Sequence, residues 1–183
     1  MILGLDISSS KIGIAIVDEN KNIIHLNLLK YKKARLEDKA VLFSHELSVL
    51  KREYAIEHVF IEEPVSIYAA GRTTAHVIST LQRFNGMCSL ACRNIFGKNA
   101  ELIGSRQARK LAEIAIPGRT KSKEVKKIII EEMSKRYQND FPLEYTRHGN
   151  YKPGTDDKAD ALVIAIAGHK IISLDKVQKK MYI

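Results

Sequence analysis

The stretch Met1-Ile2-Leu3-Gly4-Leu5-Asp6-Ile7 reads as a buried β-strand with a carboxylate set inside it. A charge is almost never fully buried unless it is paired or holds a cation. Two other stretches answer it. Val59-Phe60-Ile61-Glu62-Glu63-Pro64 is an apolar strand that ends in acid, and Asp156-Asp157-Lys158-Ala159-Asp160-Ala161-Leu162 opens an apolar helix with carboxylates on one face. Three such elements imply a metal site.

Working outward from Asp6, the runs Ile2–Ile7, Ile12–Val17 and Ile23–Leu28 are separated only by Ser8-Ser9-Ser10 and Asp18-Glu19-Asn20-Lys21-Asn22. Connections that short require antiparallel neighbours, so the chain opens as a three-stranded meander. Leu36, Ala40, Phe43, Leu47 and Leu50 then repeat at helical spacing. His58–Glu62 is a fourth strand, closed by Pro64, which cannot donate to a ladder. A long helix is predicted over Thr74–Phe96, with Val77, Leu81, Phe84, Cys88, Ala91 and Ile95 as its stripe. Ile78, Met87 and Leu90 add apolar surface outside that stripe, so this helix needs two partners. It is either a central core helix or a homodimer seam. Gly86 in its middle costs about 1 kcal/mol against alanine, tolerable where another backbone packs close.

Ala100–Ile103 is a short fifth strand, followed by helices over Arg106–Ile114 and Ser122–Tyr137, a polar stretch Gln138–Thr155, and a helix Asp156–Ile172. The rest reads as a basic C-terminal tail from about residue 173. Right-handed crossovers then lay the later strands parallel to the first. The expectation is one α/β domain over residues 1–183, a five-stranded mixed sheet with helices on both faces.

The 183 residues include 30 Lys+Arg against 21 Asp+Glu, a net charge of +9. That favours a polyanionic partner, nucleic acid foremost. Cys88 and Cys92, one helical turn apart without further ligands nearby, read as buried free thiols. No charged leader with a cleavage site opens the chain, and no apolar run approaches membrane-spanning length. A cytoplasmic protein without a membrane partner is expected.

Alternation along a strand turns Asp6 away from Leu5 and Ile7, and a parallel neighbour brings Glu62 beside it. Asp157 and Asp160, at i and i+3, project side by side. Each acid has a bland reading. Asp6 would cap the serine turn, Glu62 or Glu63 would be solvated at a strand end, and Asp156 and Asp157 would complement a helix dipole. Asp160 resists, since apolar residues surround it in sequence. Together the acids form an oxygen-only set that selects Mg²⁺ or Mn²⁺. Two such ions about 4 Å apart suit phosphodiester hydrolysis.

Gly4-Leu5-Asp6 with Gly13-Ile14-Ala15, Ile61-Glu62-Glu63 and Asp157-Lys158-Ala159-Asp160-Ala161-Leu162 resemble the RuvC family of Holliday-junction resolvases, within the ribonuclease H-like superfamily. The resemblance runs from Met1 to about Lys170. It implies Asp6, Glu62, Asp157 and Asp160 as the catalytic, metal-binding acids, and a crossover junction endodeoxyribonuclease active in DNA recombination and repair. It further implies a homodimer, joined through Thr74–Phe96, that grips a four-way DNA junction and nicks opposed strands. A basic segment places Lys121 or Lys123 at the phosphate, with Lys123 taken as the catalytic lysine. Tyr68 would stack on unpaired bases or serve only in packing, and Arg72, Arg106, Arg109 and Arg119 would contact DNA. Ile7-Ser8-Ser9-Ser10 stands where many relatives carry glycine, which points to a divergent phage or viral member acting in host cytoplasm.

Other readings use the same residues. A ribonuclease H-like nuclease on RNA–DNA hybrid or structured RNA would need the same acids. A sugar-kinase or actin-type phosphotransferase shares the first hairpin but needs two such domains. A non-catalytic junction-binding protein would use the acids only as caps.

Overall fold

The computed structural model describes residues 1–64 and 74–181, with side chains described through residue 175. Strands β1 (Ile2–Ile7), β2 (Lys11–Val17) and β3 (Ile23–Lys30) form the meander. Ser8 closes the first turn: its hydroxyl donates to the Lys11 carbonyl at 2.9 Å and accepts from the Lys11 amide at 3.1 Å. In the second turn the Asp18 carboxylate accepts from the amides of Asn20 and Asn22, both at 2.8 Å. Strands β4 (His58–Glu62) and β5 (Glu101–Ile103) complete a five-stranded sheet in the order β3-β2-β1-β4-β5. β4 is parallel to both β1 and β5.

Alternation divides the core into two layers. Leu3, Leu5, Ile12, Ile14, Ile16, Val59 and Ile61 face helices α1 (Leu36–Glu53) and α2 (Ala75–Phe96). Ile2, Ala15, Val17 and Phe60 face the other layer, made by α3 (Ser105–Leu111), α4 (Ser122–Tyr137) and α5 (Thr155–Met181). The five-stranded mixed sheet with helices on both faces is as expected from the sequence.

Two glycines set how α5 sits. A Cβ on Gly4 would collide with the Ala161 carbonyl and with Ala165, and one on Gly13 would collide with the Asp157 carbonyl. Helix α5 therefore lies directly against the backbones of β1 and β2. A side chain at either position would lift it off the sheet.

Three expectations need correction. Val77, assigned to the inner stripe of α2, is 44% exposed, whereas Ile78, placed outside it, is buried. Phe84, Cys88 and Ala91 of the expected stripe are buried, and Ile78, Asn85 and Cys92 widen the buried arc on one side. Among the described residues no backbone covers Gly86: none lies within 4 Å of where its Cβ would stand. Finally, α5 does not end near Ile172 but continues to Met181, because Ser173-Leu174-Asp175-Lys176 contains neither glycine nor proline to stop it. Residues 173–181 are therefore helix. Cys88 and Cys92 are buried free thiols, their ionisation pushed up to about 12 for Cys92 by burial.

Candidate active site

Three elements bring the acids together. Asp6 comes from β1, on the strand face opposite Leu5, and Glu62 from the end of the adjacent parallel strand β4. Asn85, buried on α2, donates to the Glu62 carbonyl at 3.2 Å and so pins that strand end. Glu63, next in sequence, is exposed and turned toward Gly104. Asp156, Asp157 and Asp160 come from the first turns of α5, held against the sheet by the two glycines.

Their electrostatics show the crowding. Burial, then the charges of Glu62, Asp160 and Asp157, push the Asp6 carboxyl well above its ordinary range. Burial also raises Glu62, against the pull of Arg109 and Lys126. Burial and Glu62 push Asp160 up to about 7, with Lys126 and Arg109 opposing. Like-charged carboxyls taken out of water resist ionising together.

Two lysines supply the counter-charge. Lys11 Nζ pairs with the Asp157 carboxylate, and Lys126 Nζ pairs with Asp156 at 2.6 Å. Asp156 is partly buried, which alone would raise it, yet Lys126 holds it below the ordinary carboxylate range. The lysine beside the acids is thus Lys126, from the second turn of α4. Lys121 stands at the N-cap of that helix, where its amide donates to Glu124, and Lys123 lines the adjoining groove with Lys127 and Tyr145. Sequence reading missed Lys126 because one register step along a basic helix decides which lysine faces inward. It missed Lys11 because nothing in the chain marks a strand-end lysine as a partner of Asp157, 146 positions away.

Arg109 joins the acids from α3. With Glu62, Ser105, Ser122, Lys126 and Asp160 it lines a cleft of about 160 Å³. The same arginine opens onto a second cavity of about 720 Å³, shared with Arg106, Lys110 and Arg119. Lys39, nearly buried on α1, donates to the Ser9 carbonyl at 2.7 Å and steadies the serine turn that follows Asp6. Tyr68 and Arg72 lie outside the described residues.

No family model matches this chain, and no curated protein matches it. Solved structures do. Thermus thermophilus RuvC, in complex with a Holliday junction substrate, superposes with a TM-score of 0.65 over 94% of each chain at 15% identity. The yeast mitochondrial Holliday junction resolvase Ydc2 superposes with a TM-score of 0.59, over 98% of this chain and 82% of its own, at 12% identity. This is the fold of the RuvC-like resolvases.

The donor set at the centre of this RuvC-like fold fits a hard divalent cation in kind. It is oxygen only, and its mutual repulsion is what a 2+ charge would relieve. Among the described residues no three His, Cys, Asp or Glu side chains are already drawn together as metal ligands, and Lys11 and Lys126 hold two of the aspartates. Among the described residues no helix is long and apolar enough to cross a membrane.

Proposed function

We propose that this chain is a divalent-metal-dependent endonuclease that resolves four-way DNA junctions by hydrolysing phosphodiesters in opposed strands. The observation that carries the reading is the convergence of Asp6, Glu62, Asp157 and Asp160 from β1, β4 and α5, with Arg109 and Lys126 at the rim. The likeness to two junction resolvases along nearly the whole chain supports it.

Asp6, Glu62, Asp157 and Asp160 would hold Mg²⁺ or Mn²⁺, in the manner of a two-metal site. When bound, such ions supply the Lewis acidity that activates water and stabilises a leaving oxygen. The remaining work belongs to the chain. Arg109 and Lys126, which face Glu62 and Asp160, would hold the non-bridging oxygens of the scissile phosphate. Arg106, Lys110 and Arg119 would carry the flanking phosphates along the larger cavity. A second copy would pack across the outward face of α2, where Leu90 is exposed and Gly86, one turn before it, leaves room for a close approach. Two active sites would then face the opposed strands of one junction.

The test is a labelled four-way junction, a linear duplex and an RNA–DNA hybrid, each with and without Mg²⁺. Junction cleavage that requires the metal is the expected result, and preferential cleavage of the hybrid would replace the substrate. Asp6→Asn abolishes cleavage yet leaves junction affinity nearly intact, since phosphate contacts supply most of it. Wild-type cleavage by that variant would refute the assignment.

A further inference from the structure

The stretch between α4 and α5, polar and without periodicity in sequence, folds into a small hairpin beside the acids. Tyr145 and Tyr151 form an antiparallel bridge. The Lys152 amide donates to the Glu144 carbonyl at 2.9 Å, and the Thr146 amide to the Asn150 carbonyl at 2.7 Å. The Gly149 amide donates to the Thr146 carbonyl at 3.0 Å and closes the tip, where Gly149 takes the left-handed conformation at φ 75°. Seven of the residues from Glu144 to Lys152 take part in these contacts, and of them Tyr151 also packs against the core. The hairpin is therefore a built feature that packing alone does not require.

Its aromatic side is open. Tyr145 is 53% exposed, although a tyrosine of this size is ordinarily mostly covered, and Tyr151 backs it with ring centroids 5.4 Å apart and planes 34° from parallel. Tyr151 is itself fixed, its hydroxyl donating to Glu131 of α4 at 3.3 Å. The pair stands over a groove of about 620 Å³ between hairpin and α4, whose charged lining is Lys123, Lys126, Lys127 and Lys152 with Glu124, Glu131 and Asp156. Lys127 and Lys152 are paired with Glu131 and Glu144, whereas Lys123 has no ion pair among the described residues. Arg147 is exposed at the hairpin tip, its guanidinium donating to His148 and likewise without an acidic partner among the described residues. The groove also has a direction. Lys126 and Asp156 belong both to it and to the acid cluster, so anything lying in the groove runs into the cleft beneath Arg109.

We propose that the groove between α4 and the Glu144–Lys152 hairpin binds a single strand of nucleic acid, with an unpaired base stacked on Tyr145 and its flanking phosphates on Lys123 and Arg147. A rigid, half-exposed aromatic face beside unpaired cations is the combination that holds single strands without sequence preference. The location of the strand beside a cut depends on the nuclease reading above, but the groove's capacity to bind does not. At a branch point the groove would receive the strand leaving the scissile phosphate, so that unpairing next to the cut is stabilised by the protein.

The full-length protein in metal-free buffer, titrated into a fluorescent oligothymidylate and followed by anisotropy, tests it. Tyr145→Ala weakens binding about tenfold, the loss of one base stack, and Tyr145→Phe restores it. Lys123→Gln with Arg147→Gln lowers affinity and reduces the salt slope by about two contacts, without touching the hairpin bridge. Unchanged binding by Tyr145→Ala overturns the inference. So does equal loss in Tyr145→Phe, which would place the effect in the hydroxyl rather than in stacking. The same proteins are assayed on the four-way junction with Mg²⁺. If the wild type leaves the junction intact while oligothymidylate binding still responds to Tyr145, the endonuclease reading falls and the groove stands.

Discussion

Asp160 sits among apolar neighbours, and burial with Glu62 nearby pushes its carboxyl up to about 7. A raised carboxyl weakens the fold as pH climbs: the folded state must give up a proton that it holds more tightly than the unfolded chain does. The metal-free protein is therefore expected to lose stability from about pH 4 to pH 7 through this group. Asp160→Asn removes that loss. In thermal unfolding with a chelator, the variant should melt several degrees above wild type at pH 8 and close to it at pH 4. A wild type that gains stability over this range would contradict the placement. Much at this scale was legible beforehand: an acid within Gly4-Leu5-Asp6 and another within Ala159-Asp160-Ala161 are conspicuous because their neighbours are apolar. Lys126 and Lys11 were not, because charged residues on a basic chain carry no mark of which one turns inward.

At the scale of elements, the site depends on α5 meeting the sheet at backbone distance. Gly4 and Gly13 permit this, since a Cβ at either would strike the helix itself. Gly13→Val should destabilise the protein by about 3 kcal/mol or more, read as a shift in urea midpoint, because backbone rather than a flexible side chain must yield. It should also weaken any divalent-metal binding, since Asp157 is the residue whose carbonyl is struck. A variant as stable as wild type would mean that α5 is not docked as described. The glycines stood in the sequence from the start, but their role lies in contacts far along the chain, 144 positions away between Gly13 and Asp157. Periodicity found α2 and the buried Phe84, Cys88 and Ala91, but not Ile78 and Cys92 beside them. The buried arc is chosen by where α1 and the sheet lie, and a helix with surplus apolar residues fits more than one angle.

For the whole molecule, the surplus on α2 has a consequence. Leu90 is 60% exposed, and Gly86, one turn before it on the same face, has nothing above it among the described residues. If two copies join across this face, Leu90→Lys should turn a dimer into a monomer in light scattering, with little change in the melting of the monomer. Junction cleavage should then fall, since paired nicks need paired sites. Wild-type protein that elutes as a monomer at micromolar concentration would remove this part of the proposal. Excess charge acts at the same scale: with +9 overall, binding to DNA should weaken steeply as salt rises.

Element order, sheet composition and the identity of the acidic residues could be read along the chain because they depend on local signals: period two, period 3.6, turn chemistry, and charge where hydrophobicity is expected. What required three dimensions was every pairing across sequence distance. Lys11 against Asp157, Lys126 against Asp156, Arg109 over Glu62, and the Tyr145 hairpin beside α4 all join segments that carry no local trace of one another. Such contacts are set by how helices settle on a sheet, a global minimum of packing, and no single stretch of residues contains it.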